Sequence, residues 1–300
     1  MDPAASENVI TLQAPVEKPK LCFLIARPRS GTTVFGKMIQ THPKLVSLGE
    51  IFNEANPLSY FAFLQKALVG NPSAVLPSNT NRIFLDYIES CRTAALQKNP
   101  KCKVVVLDVK YDQAHLICEP WLRLGQLPRF YFLVRERKWK VLDIHRRDPF
   151  KLNISNQVAI QSSIYHSNAL QPGEKQTAKV HINPVRLTED VKATRAAYAA
   201  VERHFRGLPQ YRRIFYEDMF VDEAGTEFSE KLTAEIARFL NVGNAFDNKP
   251  KLQKLLQEDI FSYIKNAAQI RALMAADHSR DFEREQADDA TEALTGSDGR

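Results

Sequence analysis

Short apolar runs separated by longer amphipathic segments limit the fold of this chain more than any other feature. The runs are Lys20–Ala26, Leu45–Leu48, Lys103–Lys110, Lys140–Arg147 and the stretch "YRRIFYED". Near-continuous apolar runs are typical of strands that are buried on both faces of a parallel sheet. The sequence therefore predicts an α/β fold of three layers, with a mostly parallel central sheet and helices on both of its faces.

Helices are predicted between and after these strands. The clearest is "LTEDVKATRAAYAAVERHFRGL", whose acidic residues fall in the first turn and whose basic residues fall in the last, as the helix dipole favours. Another begins at Asp148, which can cap a helix whose first position is Pro149. The others are Thr32–Thr41, "PLSYFAFLQKAL", Phe130–Trp139 and "EFSEKLTAEIARFLNV".

No internal repeat or long linker divides the 300 residues. We expect one domain over residues 20–276, a flexible arm over 1–19, and a polar tail over 277–300 that frays. The segment Ser167–Pro184 is expected to form a loop over the site. No run of about 18 apolar residues occurs, so no transmembrane segment is predicted, and the N-terminus does not resemble a signal peptide.

The cysteines show neither metal-binding nor redox spacing, so reduced thiols and a cytoplasmic location are expected. They are Cys22, Cys91, Cys102 and Cys118.

The formal net charge of +6 suits an anionic ligand, and it also suits nucleic acid. The stretch "RFYFLVRERKWK" interleaves aromatic and basic residues as some RNA-binding surfaces do. It fits an amphipathic helix with a solvated basic face at least as well. A nucleic-acid-binding protein therefore remains an alternative, although no nucleic-acid partner is predicted.

The turn in "IARPRSGTTVF" has the features of a phosphate-binding loop. It joins a strand ending at Ala26 to a helix beginning near Thr32, where unpaired N–H groups and the helix dipole favour an anion. Gly31 permits close approach of a ligand, and Arg29 can clamp phosphate oxygens. The hydroxyl donors are Ser30, Thr32 and Thr33. The alternative is an ordinary strand-to-helix turn with a serine or threonine cap.

Two features imitate a magnesium–nucleotide site. The spacing from Gly31 to Lys37 matches G-x-x-x-x-G-K, but Met38 follows where a magnesium-ligating Ser or Thr is expected, and the segment continues a helix. The run "VVVLD" ends in Asp108, like the acidic strand of such enzymes, although a buried strand ending in Asp is common. An ATP-dependent kinase of P-loop type remains the alternative enzyme.

"PRSGTT" resembles the 5′-phosphosulfate loop of sulfotransferases that use 3′-phosphoadenosine 5′-phosphosulfate (PAPS), with Arg29 as its basic residue. "IHRRDPFKLNIS" resembles their 3′-phosphate motif, an Arg ending a strand and a Ser eight positions later, here Arg147 and Ser155. Arg146 is an alternative for that arginine, but strand alternation aims it the other way. The resemblance implies a P-loop-like nucleotide-binding topology.

Further stretches, "GEIFNE", "IFYEDMF" and "IARFLNV", follow in the family's order over about residues 20 to 275. They are most similar to bacterial sulfotransferases of the nodulation-factor and lipopolysaccharide type. The C-terminal "RKG" segment of cytosolic members is absent, and whether Lys265 in "FSYIKN" replaces it stays open.

The resemblance implies sulfuryl transfer from PAPS to a hydroxyl of a glycan, glycolipid or related metabolite. The identity of the acceptor stays open, as does the oligomeric state, for which a homo-oligomer is one possibility. Fixed positive charge at Arg29 would stabilise the leaving phosphate, and no metal is required. Glu50 is the predicted general base, since the resemblance places this base in a comparable carboxylate. Glu54, one helical turn onward, is the alternative. His42 and His145 are expected to be capping or core residues.

Overall fold

The computed structural model describes residues 17–117, 127–162, 179–222, 225, 227–249 and 259–277. Its sheet has five strands in the order β2-β3-β1-β4-β5, and every neighbouring pair is parallel. The strands are β1 Lys20–Ala26, β2 Leu45–Glu50, β3 Val104–Lys110, β4 Lys140–His145 and β5 Tyr211–Phe215. The predicted parallel α/β sheet is confirmed.

Seven α-helices lie among the described elements that have defined bounds. They are α1 Thr32–Thr41, α2 Tyr60–Gly70, α3 Thr80–Lys98, α4 Arg129–Glu136, α5 Pro149–Ser162, α6 Pro184–Phe205 and α7 Glu230–Leu240. A further helical segment covers residues 267–277. Helix α3 is not among the predicted elements, although its buried residues Ile83, Phe84, Tyr87, Ile88 and Cys91 follow a helical spacing.

Helix α6 begins at Pro184 rather than at Leu187 as predicted. The Asn183 side chain caps it by accepting from the backbone N–H groups of Val185 and Arg186, and Pro184 takes the first helical position. The first turn consequently contains no acidic residue, so the predicted dipole pairing at this end was wrong.

The side chains of β1 alternate between two cores on opposite faces of the sheet. Leu21, Phe23 and Ile25 pack with buried residues of α3, α4 and α6. Cys22, Leu24 and Ala26 pack with buried residues of α1 and α7. Because both faces of the central strand are covered by helices, the three-layer prediction is also confirmed.

The aromatic and basic stretch at 129–140 packs as an amphipathic helix. Phe130, Tyr131, Leu133 and Val134 are buried on α4, whereas residues 135–138 are exposed. Trp139 lies against Phe23, with ring centroids 5.5 Å apart. Most of the aromatic side chains that an RNA-binding surface would need for stacking therefore belong to the core.

The described cysteines Cys22, Cys91 and Cys102 are buried and free of disulfides. Burial raises the pKa of the Cys22 thiol to about 12 and the pKa of the other two to about 11. Cys118 lies outside the described residues, as do residues 1–16 of the arm, residues 163–178 of the expected loop, and residues 278–300 of the tail. The domain boundaries stay a prediction.

In the part of the chain that the structure describes, no helix has the length and apolar character needed to cross a membrane.

Candidate functional site

The carboxyl ends of all five strands meet at one edge of the sheet, which is where open parallel sheets bind ligands. The loop Arg27–Gly31 follows β1, and Glu50 ends β2. Lys110 ends β3, Arg146 and Arg147 follow β4, and Tyr216 follows β5. These residues, some of them predicted and some not, therefore lie along this one edge, although they come from distant parts of the sequence.

The loop between β1 and α1 has a constrained backbone. Gly31 is the N-cap of α1 with φ of 86°, and Arg29 also has a positive φ, of 68°. A Cβ added to Gly31 would lie 2.4 Å from Cδ2 of Tyr216. Glycine is therefore required here for its left-handed backbone and for the ring that packs on it. Arg29 therefore has a strained, left-handed backbone, and residues of this kind cluster at ligand sites.

The two stretches that were predicted to bind phosphate contact one another. Arg29 Nε donates a hydrogen bond of 3.4 Å to Ser155 Oγ across 126 positions of sequence. Ser155 is 8% exposed and lies on α5. The structure therefore brings Ser155 beside the loop rather than leaving it as an ordinary helix-surface serine.

Arg147 lies exposed just beyond β4 and is held by the turn after β5. Its Nη1 and Nη2 donate to the two carboxylate oxygens of Asp218 over 2.8 and 2.7 Å. Its backbone N–H donates to Glu217, and its guanidinium lies 4.6 Å from the centre of the Phe215 ring. These contacts fix the direction of the guanidinium group.

Arg146 turns toward the loop, contrary to the expectation from strand alternation. Its guanidinium lies 3.9 Å from the centre of the Tyr216 ring, which itself packs on Gly31. The expectation was wrong because β4 ends at His145, so the next residues no longer follow the two-residue period. Burial raises the pKa of the Tyr216 phenol, against the opposing charge of Arg146.

A cavity of about 310 Å³ opens beside these arginines. It is lined by His145, Arg146, Arg147, Pro149, Arg195, Tyr198 and Phe215. Among the described residues, Nε of Arg146 and Nε of Arg27 are buried without a hydrogen-bond partner. Since buried donors are normally paired, the unpaired Nε of Arg146, a residue of the cavity wall, fits a site that receives an anion.

A second cluster surrounds Lys110 at the end of β3. Its buried ammonium lies 2.7 Å from both Asp108 carboxylate oxygens and donates to Thr32 Oγ1 over 2.8 Å. Glu50 Oε2 is 3.7 Å from the same nitrogen, and Glu50 Oε1 accepts from Gln113 Nε2 over 2.6 Å. Glu50 is thus held directly beside the first turn of α1.

The remaining predicted residues have no contact with Lys110 among those that the structure describes. Glu54 is exposed in a run of turns over 51–59, so it does not follow Glu50 by a helical turn as expected. Thr33 is exposed on the first turn of α1. Ser30 is fully buried. Lys265 is exposed, and its backbone N–H donates to the Val180 carbonyl.

Both features that imitate a magnesium–nucleotide site are part of other structure. Gly36 and Lys37 lie within α1, and Met38 is buried against the core. Both carboxylate oxygens of Asp108 are engaged by the Lys110 ammonium. The G-x-x-x-x-G-K spacing therefore lies on a helix, as predicted.

The two histidines have the structural roles that were expected of them. His42 is the C-cap of α1; its Nδ1 accepts from Lys44 N–H, and its Nε2 lies 2.7 Å from the Gly243 carbonyl oxygen. His145 is buried with Nε2 3.0 Å from Asp143, and its ring stacks on Tyr198.

Sequence reasoning missed Lys110, Gln113 and Tyr216 as members of the site. Lys110 carried a usable signal, because a basic residue ending a buried parallel strand lies at the ligand-binding edge. Tyr216 also carried one, because it lies in the stretch "IFYEDMF" on which the resemblance partly rests. Gln113 carried none that is local, since it gains its position only through its contact with Glu50.

No protein-family model matches the chain, and no curated protein matches it in sequence. Among the solved structures that resemble it are two sulfotransferases, and both likenesses are weak. Mouse sulfotransferase SULT7A1 complexed with PAP is 14% identical over 75% of this chain, with a TM-score of 0.38. Sulfotransferase STF9 from Mycobacterium avium is 13% identical over 88% of this chain and 76% of its own, also with a TM-score of 0.38.

The chain spans 60% of the mouse protein's length. Likenesses at this level do not bear on function, which is therefore inferred from the residues and their geometry.

Proposed function

We propose that this chain is a PAPS-dependent sulfotransferase that transfers a sulfuryl group to an acceptor hydroxyl. The observation that carries the proposal is the hydrogen bond from Arg29 to Ser155. Each residue belongs to a different motif with a donor-binding role in the family that the sequence resembles. Their contact supports one donor site in which both motifs act together.

The donor's 5′-phosphosulfate would lie on the loop after β1. Arg29, Gly31 and the start of α1 supply a guanidinium group, a close backbone approach and the positive end of a helix dipole. The hydroxyl groups come from Ser30, Thr32 and Thr33. Arg147 and Ser155 would bind the 3′-phosphate, near the α5 N-terminus.

In the proposed reaction, the acceptor oxygen attacks sulfur in line while the bond from sulfur to the 5′-phosphate oxygen breaks. The acceptor proton passes to Glu50, and 3′-phosphoadenosine 5′-phosphate (PAP) leaves. Arg29 and the loop N–H groups stabilise the charge that develops on the leaving phosphate. Lys110 and Gln113 hold the Glu50 carboxylate beside the first turn of α1.

A glycan, a glycolipid or a related metabolite is the proposed acceptor class, and the cytoplasm is the proposed location. The acceptor class rests on the resemblance of "GEIFNE", at the end of β2, to bacterial carbohydrate sulfotransferases of the nodulation-factor and lipopolysaccharide type. The donor site alone does not determine an acceptor.

The catalytic part of the proposal is tested by Glu50→Gln, with Glu54→Gln as the matched control. Labelled PAPS is supplied with a panel of free sugars, oligosaccharides and glycolipids, and transfer of the label is measured. Loss of the general base lowers turnover by about 10²- to 10⁴-fold, while the affinity for PAP stays within about twofold of wild type. Glu54→Gln keeps wild-type turnover because Glu54 is exposed in a turn.

Wild-type turnover in Glu50→Gln would remove Glu50 from the mechanism. A wild-type chain that neither binds PAP nor transfers the label to any acceptor would contradict the proposed function as a whole.

A further inference from the structure

Three arginine residues from two distant parts of the chain line the same cavity. Arg146 and Arg147 follow β4, whereas Arg195 comes from the middle of α6. The other lining residues are aromatic, apolar or imidazole-bearing, and no carboxylate belongs to the wall that the described residues form. A wall of this composition is suited to a phosphate monoester, which carries close to two negative charges.

Each arginine is also oriented by a contact of its own. Arg147 is held by Asp218, and Arg146 stacks on Tyr216. Arg195 Nη2 donates to Asp277 Oδ2 over 2.6 Å, and the two side chains are 36% and 22% exposed. Pre-oriented guanidinium groups lose less side-chain entropy when an anion binds than flexible ones do.

The N-terminus of α5 adds to the attraction for an anion. Pro149 opens this helix and lines the cavity, and Ser155 lies further along the same helix, where it contacts Arg29. A phosphate in the cavity would therefore be displaced along α5 from a phosphate bound at the loop after β1. That arrangement matches a donor with phosphate groups on both its 5′ and its 3′ oxygens.

We infer that Arg195 is a further donor-binding residue, supplied by α6, which contacts the 3′-phosphate together with Arg147, and that Asp277 positions it. The inference rests on the proposed function, because it assigns a residue to the same donor. It adds a contact from a helix that neither phosphate motif includes.

The test compares PAP with 5′-AMP, which lacks only the 3′-phosphate, in calorimetric titrations without magnesium. The variant is Arg195→Gln. The control is Arg186→Gln on the same helix, whose side chain is 70% exposed, 3.9 Å from Asp190, and outside the cavity wall. In Arg195→Gln, loss of one charged hydrogen-bond donor is expected to weaken PAP binding by about 10- to 100-fold. The affinity of this variant for 5′-AMP stays within about twofold of wild type. Arg186→Gln binds both nucleotides as wild type does.

Asp277→Asn is expected to cause a smaller loss that is likewise confined to PAP, which a general loss of folding would not produce. If wild type prefers PAP and Arg195→Gln keeps that preference, or weakens both nucleotides equally, the inference is overturned while the donor site stands. If wild type binds both nucleotides equally, the donor assignment itself fails and the inference fails with it.

Discussion

At the scale of single residues, Gly31 and Gly36 have opposite meanings despite their shared place in one G-x-x-x-x-G-K spacing. Gly31 has φ of 86° and carries the Tyr216 ring, whereas Gly36 lies inside α1 with Ser47 Oγ 3.4 Å from the position of an added Cβ. Glycine is required at position 31 by the backbone conformation and by the Tyr216 ring, whereas neither reason applies at position 36.

Gly31→Ala is therefore predicted to weaken PAP binding by about tenfold or more, and to destabilise the fold by about 1–3 kcal/mol through backbone strain. Gly36→Ala is predicted to keep PAP binding and to stabilise the fold by up to about 1 kcal/mol through helix propensity. Urea unfolding and nucleotide titration measure both quantities. Wild-type binding by Gly31→Ala, or a loss of binding in Gly36→Ala, would contradict this assignment.

The buried Lys110 connects the end of β3 to two of the predicted site residues. Its ammonium neutralises Asp108 and contacts both Thr32 and the neighbourhood of Glu50. A buried charge is stable only with such partners. The same ammonium therefore satisfies the buried Asp108 charge at the end of β3 and lies beside both the predicted base and the predicted phosphate loop.

At the scale of elements, a buried carboxylate joins β4, β5 and the end of β3. Asp143 accepts from Tyr111 Oη and, over 2.8 Å, from Tyr211 Oη, and the His145 ring also contacts it. Burial and the Asp143 charge raise the pKa of the Tyr111 phenol. The phenol thus stays protonated at neutral pH and continues to donate.

Tyr211→Phe is predicted to lower the free energy of unfolding by about 1.5–3 kcal/mol, because it removes a donor to a buried charge. Tyr87→Phe is the comparison, since Tyr87 Oη donates over 2.8 Å to the neutral Leu58 carbonyl. Its cost is predicted to be about 0.5–1.5 kcal/mol. Urea unfolding of both variants shows which substitution lowers the free energy of unfolding more. An equal or larger loss for Tyr87→Phe would contradict the claim that the hydrogen bond to the charged Asp143 is the stronger of the two.

At the scale of the whole molecule, much of the fold follows from local patterns in the sequence. The buried strands are predicted by apolar runs, and the start of α5 is predicted by Asp148 and Pro149. Burial and capping produce recognisable residue patterns at fixed short spacings. The start of α6 was missed because the Asn183 cap lies before the periodic stretch. Helix α3 was overlooked although its buried positions are helically spaced.

The candidate site could be predicted only in part, because its contacts join residues far apart in sequence. Arg29 and Ser155 could be proposed from motif spacing, but their contact arises from the packing of α5 beside the loop. The orientation of Arg146 depends on where β4 ends, and the place of Arg195 in the cavity wall depends on the packing of α6. Such positions belong to the tertiary structure and leave no local pattern.

The most direct measurement is a calorimetric titration of the wild-type chain with PAP in the absence of magnesium, beside ATP with magnesium. The site geometry predicts that PAP binds at least about tenfold more tightly than magnesium–ATP, and that Arg147→Ala removes most of this preference. Tighter binding of magnesium–ATP, or indifference to the 3′-phosphate, would contradict the sulfotransferase proposal and favour the kinase. Salt-sensitive binding of nucleic acid that PAP does not displace would instead favour a nucleic-acid-binding protein.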